Sequence, residues 1–163
     1  MYKEGEYVIY KRDLCQIKGI VEKNNKKYYK LCPKEDETLT ISVPIERKQN
    51  NLRYPISAKE AEELIKKIKD IEVINSNEKT LEQDYKELMK TNKHEDLIKI
   101  IKTTYLRNER RRLQGKKETD KDVSYFKKAE DYLYNELSIS LNMSYEECKK
   151  YIISKLSSNE KNS

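Results

Sequence analysis

The chain has 163 residues, the length of one large domain or two small ones. Charged residues make up 39% and the hydrophobic set 36%, yet the apolar positions are periodic, which argues for a folded chain over a disordered one. No apolar run is long enough to cross a bilayer and the opening Met1-Tyr-Lys-Glu-Gly5 has no apolar leader core, so a cytoplasmic protein with no membrane partner is expected.

Residues 1–55 read as β structure. Residues 6–10 form a short apolar strand. Residues 14–22 alternate loosely, with Leu14, Ile17 and Ile20 as core candidates and Gly19 as a bend or bulge. Asn24-Asn25 is a turn signal leading into a strand over residues 26–32. Leu39, Ile41 and Val43 then alternate with Thr40 and Ser42, the cleanest period-two stretch, and Pro44 ends it or marks an edge. Four or five short strands in this length suggest a small barrel of the SH3 or Tudor type.

From Ser57 onward the pattern is helical. Ser57-Ala-Lys-Glu60 is a capping box before Ala61, Leu64, Ile65 and Ile68. Residues 71–77 read as a connector, and Thr80-Leu-Glu-Gln83 as a second possible box ahead of Leu81, Tyr85, Leu88 and Met89. A polar stretch over residues 92–95 precedes a helix carrying Leu97, Ile98, Ile101 and Tyr105. Gln114-Gly-Lys-Lys117 is a loop, and Thr119 or Asp120 caps a long helix with Phe126, Ala129, Leu133 and Leu137 on one stripe. Asn142 breaks that helix. Ser144-Tyr-Glu-Glu147 is a third box, leading to Cys148, Ile152 and Leu156, with a frayed tail expected after Ser157. The expected fold class is therefore α+β, a small barrel followed by an all-α domain of about five helices.

Net charge is +6, and lysine supplies 28 of the 35 basic residues. The seven arginines are more informative, because four of them, Arg107, Arg110, Arg111 and Arg112, fall within six positions. Residues 102–128 hold ten basic and four acidic side chains, a local +6 that leaves the rest of the chain neutral. Arginine forks suit phosphate and carboxylate, but cations at a helix end also answer its dipole. The chemistry of an enzyme is not visible. There is one histidine, His94, and only three glycines, with no nucleophile elbow and no phosphate loop. Cys15, Cys32 and Cys148 are odd in number and far apart, which reads as reduced thiols and not as a disulfide or zinc framework. Glu35-Asp36-Glu37 reads as a solvated loop. A binding module without metal, cofactor or catalysis is expected.

Several segments, in order, resemble the CarD/CdnL family of bacterial RNA polymerase-binding transcription regulators, in the form common to low-GC Gram-positive bacteria. These are Tyr2-Lys-Glu-Gly5-Glu-Tyr-Val8-Ile-Tyr10, Leu39-Thr-Ile-Ser-Val43-Pro44, Asn51-Leu-Arg53 with Ser57, Tyr85-Lys86, Asp96-Leu97, Thr104-Tyr-Leu-Arg107, and Tyr125-Phe126-Lys-Lys-Ala129-Glu130 with Leu133 and Glu136-Leu137. The resemblance covers nearly the whole chain. It implies a Tudor-like domain, residues 1–55, that docks on the RNA polymerase β subunit through Lys23, Ile41, Ser42, Val43 and Pro44. It implies a helical domain, residues 56–163, that contacts promoter DNA at the upstream edge of the melted bubble, and within it Lys86, the basic cluster with Arg107, Arg110 and Arg111, and Leu81 are the expected DNA contacts. That contact uses the DNA backbone and minor groove and no long sequence. A monomer is expected.

Three departures stand out. Leu81 occupies the place where family members often carry a tryptophan wedge. Tyr10-Lys-Arg-Asp-Leu14 replaces the family's Tyr-Pro-x-His-Gly turn, and Ser42 stands where a basic residue is common. The alternative to a DNA-contacting regulator is a protein–protein adaptor whose arginines meet acidic side chains.

Overall fold

The computed structural model describes residues 1–46 and 50–161. The chain divides into two compact units, Met1–Ile56 and Ser57–Ser163. The first holds β1 (Tyr7–Tyr10), β2 (Asp13–Lys23), β3 (Lys26–Pro33), β4 (Ile41–Pro44) and β5 (Leu52–Arg53). All pairings are antiparallel, and the strand order is β4-β3-β2-β1-β5. The expected barrel is therefore an open ladder among the described residues. Its two ends are a strand that stops at a proline and a strand of two residues, so neither offers the other a long edge to close on.

Val8, Cys15, Ile17, Tyr29, Leu31 and Val43 form the core of this unit. Leu14 is buried too, but it pairs with Ile9, and alternation places both on the opposite face from Val8 and Cys15. The Gly19 bulge is present as a register shift between Ile17 and Gly19. Beyond it the β2–β3 ribbon runs past the core, so Ile20, expected inside, is 45% exposed although it pairs with the buried Tyr29. Leu39 is likewise exposed, because β4 begins only at Ile41.

Two hairpin turns share one geometry. Asn24 and Asn25 both take positive φ, 55° and 63°, as a two-residue turn between twisted strands requires. Lys11 and Arg12 do the same at 48° and 74°, with no residue suited to it.

Cys15, Cys32 and Cys148 form no disulfide with one another, and Cys15 and Cys148 are buried. Burial, then Asp13 and Cys32, push the Cys15 thiol up to about 12. A thiol raised on folding stabilises the fold below its unfolded pKa of about 8.5 and loses that contribution as pH rises toward the folded value. At neutral pH a thiol reagent should modify Cys32 well before Cys15 and Cys148. Equal rates at all three would contradict this burial.

The second unit holds α1 (Ala58–Lys66), a short 3₁₀ turn (Ile68–Asp70), α2 (Leu81–Lys90), α3 (His94–Leu113), α4 (Asp120–Ser140) and α5 (Tyr145–Lys161). The boxes at Ser57 and Ser144 are both reciprocal. Ser57 Oγ accepts from Glu60 N while Glu60 accepts from Ser57 N, and Ser144 and Glu147 repeat the exchange. Thr119 caps α4 by accepting from Asp122 N. The expected box at Thr80 is absent. Thr80 makes no side-chain cap, and Asn77 Oδ1 instead accepts from the Lys79 and Thr80 amides. The last helix continues to Lys161, past the point where the sequence suggests fraying.

Helix α3 buries Leu97, Ile98, Ile100, Ile101, Thr103 and Thr104, with α4 packed along it, and α4 in turn also packs on α1, α2 and α5. Lys102 is buried as well. Its ammonium donates to the carbonyls of Ile68 and Ile71 at 2.9 and 2.7 Å, closing the open end of the 3₁₀ turn. The Ile74 amide then donates to Thr103 Oγ1 at 2.9 Å. The connector over residues 71–77 is thus laid along α3. No helix among the described residues is long and apolar enough to cross a membrane.

Candidate functional site

The expected polymerase contacts lie on two parts of the sheet. Lys23 is exposed at the tip of the β2–β3 ribbon, paired across the turn with Lys26. The other four are β4 itself. This strand pairs with β3 alone, Leu31 with Ile41, Lys30 with Ser42, Tyr29 with Val43 and Tyr28 with Pro44. Its outer edge therefore carries no strand among the described residues, and its backbone is available for another chain to pair with.

The side chains of β4 differ in what they can offer. Ser42 is exposed, and Ile41 is half-buried against the core. Val43 is 3% exposed and belongs to the core. Strand alternation turns the Val43 side chain inward, so what Val43 presents at the sheet edge is its backbone.

The expected DNA contacts on the helical unit are brought to one end of the helix bundle, but they are not equivalent. Arg107, near the end of α3, reaches in two directions. Its Nη1 lies 2.7 Å from Glu78 Oε1, and its Nε donates to Asp122 Oδ2 at 2.9 Å. Asp122 is fully buried in the first turn of α4, and its other oxygen accepts from the Tyr85 hydroxyl of α2 at 2.8 Å. Lys121 adds a pair to Glu78 at 3.5 Å. One guanidinium thus ties the approach to α2, the body of α2 and the start of α4 to α3.

The electrostatics agree with that geometry. Burial disfavours the Arg107 charge, but its hydrogen bonds to Glu78 and Asp122 outweigh this and hold it more firmly protonated than usual. The hydrogen bond from Arg107 holds the Glu78 carboxyl below its ordinary value. Burial, followed by Asp122, pushes the Tyr85 hydroxyl up. Arg107, expected among the DNA contacts, thus gives its Nε to the buried Asp122 and its Nη1 to the exposed Glu78, so two of its donors are held by the protein's own carboxylates.

Leu81, at the family's wedge position, packs against the interior of the helical unit. It is the first residue of α2 and only 2% exposed, one turn before the fully buried Tyr85. A side chain that packs inward at helical spacing is not presented for insertion between bases.

Lys86 and Arg110 remain exposed, and neither forms an ion pair among the described residues. Arg111 is half-buried, with its Nε donated to the Lys117 carbonyl at 2.7 Å. Arg112 pairs with Glu109 one turn back at 2.9 Å.

No family model matches the chain, and no curated protein matches it. The site therefore stands on its own residues. Sequence reasoning missed Asp122, the acceptor at the centre of the Arg107 network. Its signal was the Thr119-x-x-Asp122 spacing, which reads only as a helix cap. In the structure the Asp122 backbone completes that cap while the carboxylate turns inward to Arg107 and Tyr85. His94, expected in a polar hinge, is also drawn inward. Its Nε2 lies 2.9 Å from Glu136 Oε1, joining the start of α3 to α4.

Proposed function

We propose that this chain is a transcription regulator of the CarD/CdnL type. On this reading the five-stranded sheet is a Tudor-like module that binds the RNA polymerase β subunit, and the helical unit contacts promoter DNA at the upstream edge of the bubble. The observation that carries the proposal is the open outer edge of β4, in the segment that resembles the family's barrel strand ending in Val-Pro. An edge strand ending in proline can accept one partner strand by main-chain pairing, with exposed Ser42 and neighbouring Lys30 to set its register. On the helical unit, Lys86 and Arg110 supply exposed cations that pair with no carboxylate among the described residues, which suits a backbone contact without sequence readout. Binding both partners favours the open promoter state by differential affinity for it, and no chemical step is required.

The test is binding of the full chain to an isolated polymerase β lobe. A dissociation constant on the order of micromolar or tighter is expected for a contact of this kind. Replacing Ser42 by aspartate should weaken it while leaving the helical unit's melting unchanged. Absence of binding to the β lobe would overturn the polymerase half of the proposal.

A further inference from the structure

Residues 71–90, the connector and α2, are held to the helical unit differently from the rest of it. Only Leu81 and Tyr85 are buried in this stretch, against seven residues in α3 and nine in α4. Across the fold, its polar ties run to α3 and α4. The Ile71 carbonyl accepts from Lys102, the Ile74 amide donates to Thr103 Oγ1, Glu78 pairs with Arg107 and Lys121, and the Tyr85 hydroxyl donates to Asp122. Both ends of the stretch are anchored outside it. Ile68 of the 3₁₀ turn is buried and that turn packs on α5, while Thr91 Oγ1 donates to Asp96 Oδ2 in the first turn of α3 at 2.6 Å. The floor beneath the stretch has partners of its own. Thr103 Oγ1 donates to the Lys99 carbonyl at 2.7 Å, Lys102 also holds the Ile68 carbonyl, and Asp122 Oδ2 accepts from Arg107 Nε.

We propose that residues 71–90 form a flap that lifts from α3 and α4 as one cooperative unit while the rest of the helical unit stays folded. Lifting takes only two buried side chains out of the interior, and segments with few buried apolar groups are where local unfolding begins. The groups it frees, the Ile71 carbonyl, the Ile74 amide, the Glu78 carboxylate and the Tyr85 hydroxyl, pass to water. No charge is stranded on the floor, because Arg107 and Asp122 stay paired with each other. A helix of ten residues is marginal by itself in water, so α2 unwinds when it leaves α3, and its docking and its folding are one event. The flap also acts as a gate. Closed, Glu78 holds Arg107 Nη1 and the Lys121 ammonium, on side chains that are 19% and 22% exposed. Lifted, both cations face solvent. The gate does not rest on the regulator reading above.

The test is native-state hydrogen exchange of the full chain, resolved amide by amide, in increasing urea below the unfolding midpoint. The Ile74 amide and the α2 amides over residues 85–90 should share one opening. After correction for intrinsic rates they should exchange about a hundredfold faster than residues 98–101 of α3 and 133–137 of α4. Their urea dependence should be shallower, because lifting a flap exposes less surface than unfolding the unit. Glu78→Gln should speed the shared opening about threefold, the effect of losing an exposed ion pair. Exchange of α2 at the rate and urea dependence of α3 and α4 would mean that the unit unfolds only as a whole, and would overturn the flap. Ile74 exchanging apart from α2, or α2 amides graded from one end, would overturn its cooperativity. An opening that ignores Glu78→Gln would overturn the gate over Arg107 and Lys121.

Discussion

Replacing Arg107 by alanine should destabilise the helical unit by about 3–5 kcal/mol, the range for breaking a buried ion pair from one side. The cost lies in what is left behind. Asp122 is fully buried, and its Oδ2 would lose the guanidinium while its Oδ1 keeps the Tyr85 hydroxyl. Glu78 matters less, because it is 65% exposed and water can replace the lost partner. Urea unfolding of the full chain would measure the loss. Arg110→Ala is the control: the same charge change three residues on, at an exposed site, should stay within about 0.5 kcal/mol. A combined Arg107→Met and Asp122→Asn variant should recover part of the stability, since neither charge is then stranded. An Arg107→Ala variant that melts like wild type while losing DNA affinity would return Arg107 to the DNA-contacting set.

Leu81→Ala should cost about 2–5 kcal/mol, the usual range for truncating a buried leucine. The side chain is 2% exposed and shares its face of α2 with Tyr85, so the cavity would open beside the Tyr85–Asp122 hydrogen bond. The two losses are then coupled, and a double variant with Tyr85→Phe should be less than additive. Leu81→Met, which nearly conserves volume, should cost under about 1.5 kcal/mol. Any effect of Leu81→Ala on DNA should track this loss of stability. Thermal melting that matches wild type alongside a selective loss at forked DNA would instead mark Leu81 as the wedge.

What could be read from the sequence was mostly what is decided within a few residues. The boxes at Ser57 and Ser144 form as spaced, because a hydroxyl and a carboxylate three apart find each other's amides without help from the rest of the chain. The Asn24-Asn25 turn and the Gly19 bulge follow from residues that tolerate the required backbone. The Lys11-Arg12 turn adopts the same backbone with no such residue, so the register of β1 against β2 imposes it and the local sequence does not announce it.

The candidate site was legible as a place but not as a set of roles. The arginine cluster does sit at one end of the bundle. Which of its members is spent inside depends on Glu78 and Asp122, 29 and 15 positions away from Arg107, and no local pattern shows that. Val43 and Leu81 share one feature. Both lie in segments whose sequence resembles the family's contacts, and in both the alternation of the element turns the side chain to the core.

The tethers from Lys102 and Thr103 change what the stretch between the 3₁₀ turn and α2 can tolerate over evolutionary time. A linker between helices ordinarily accepts insertions, because its closure entropy grows slowly with length. Here the Ile71 carbonyl and the Ile74 amide are each pinned to neighbouring residues of α3, so the spacing between them is set by the helix rise. Two residues separate them, and a lineage that gained or lost one would forfeit at least one tether and strand a buried ammonium or an amide. Insertions in this stretch should therefore be tolerated on the side nearer α2 and costly between Ile71 and Ile74, where the segment is counted residue by residue.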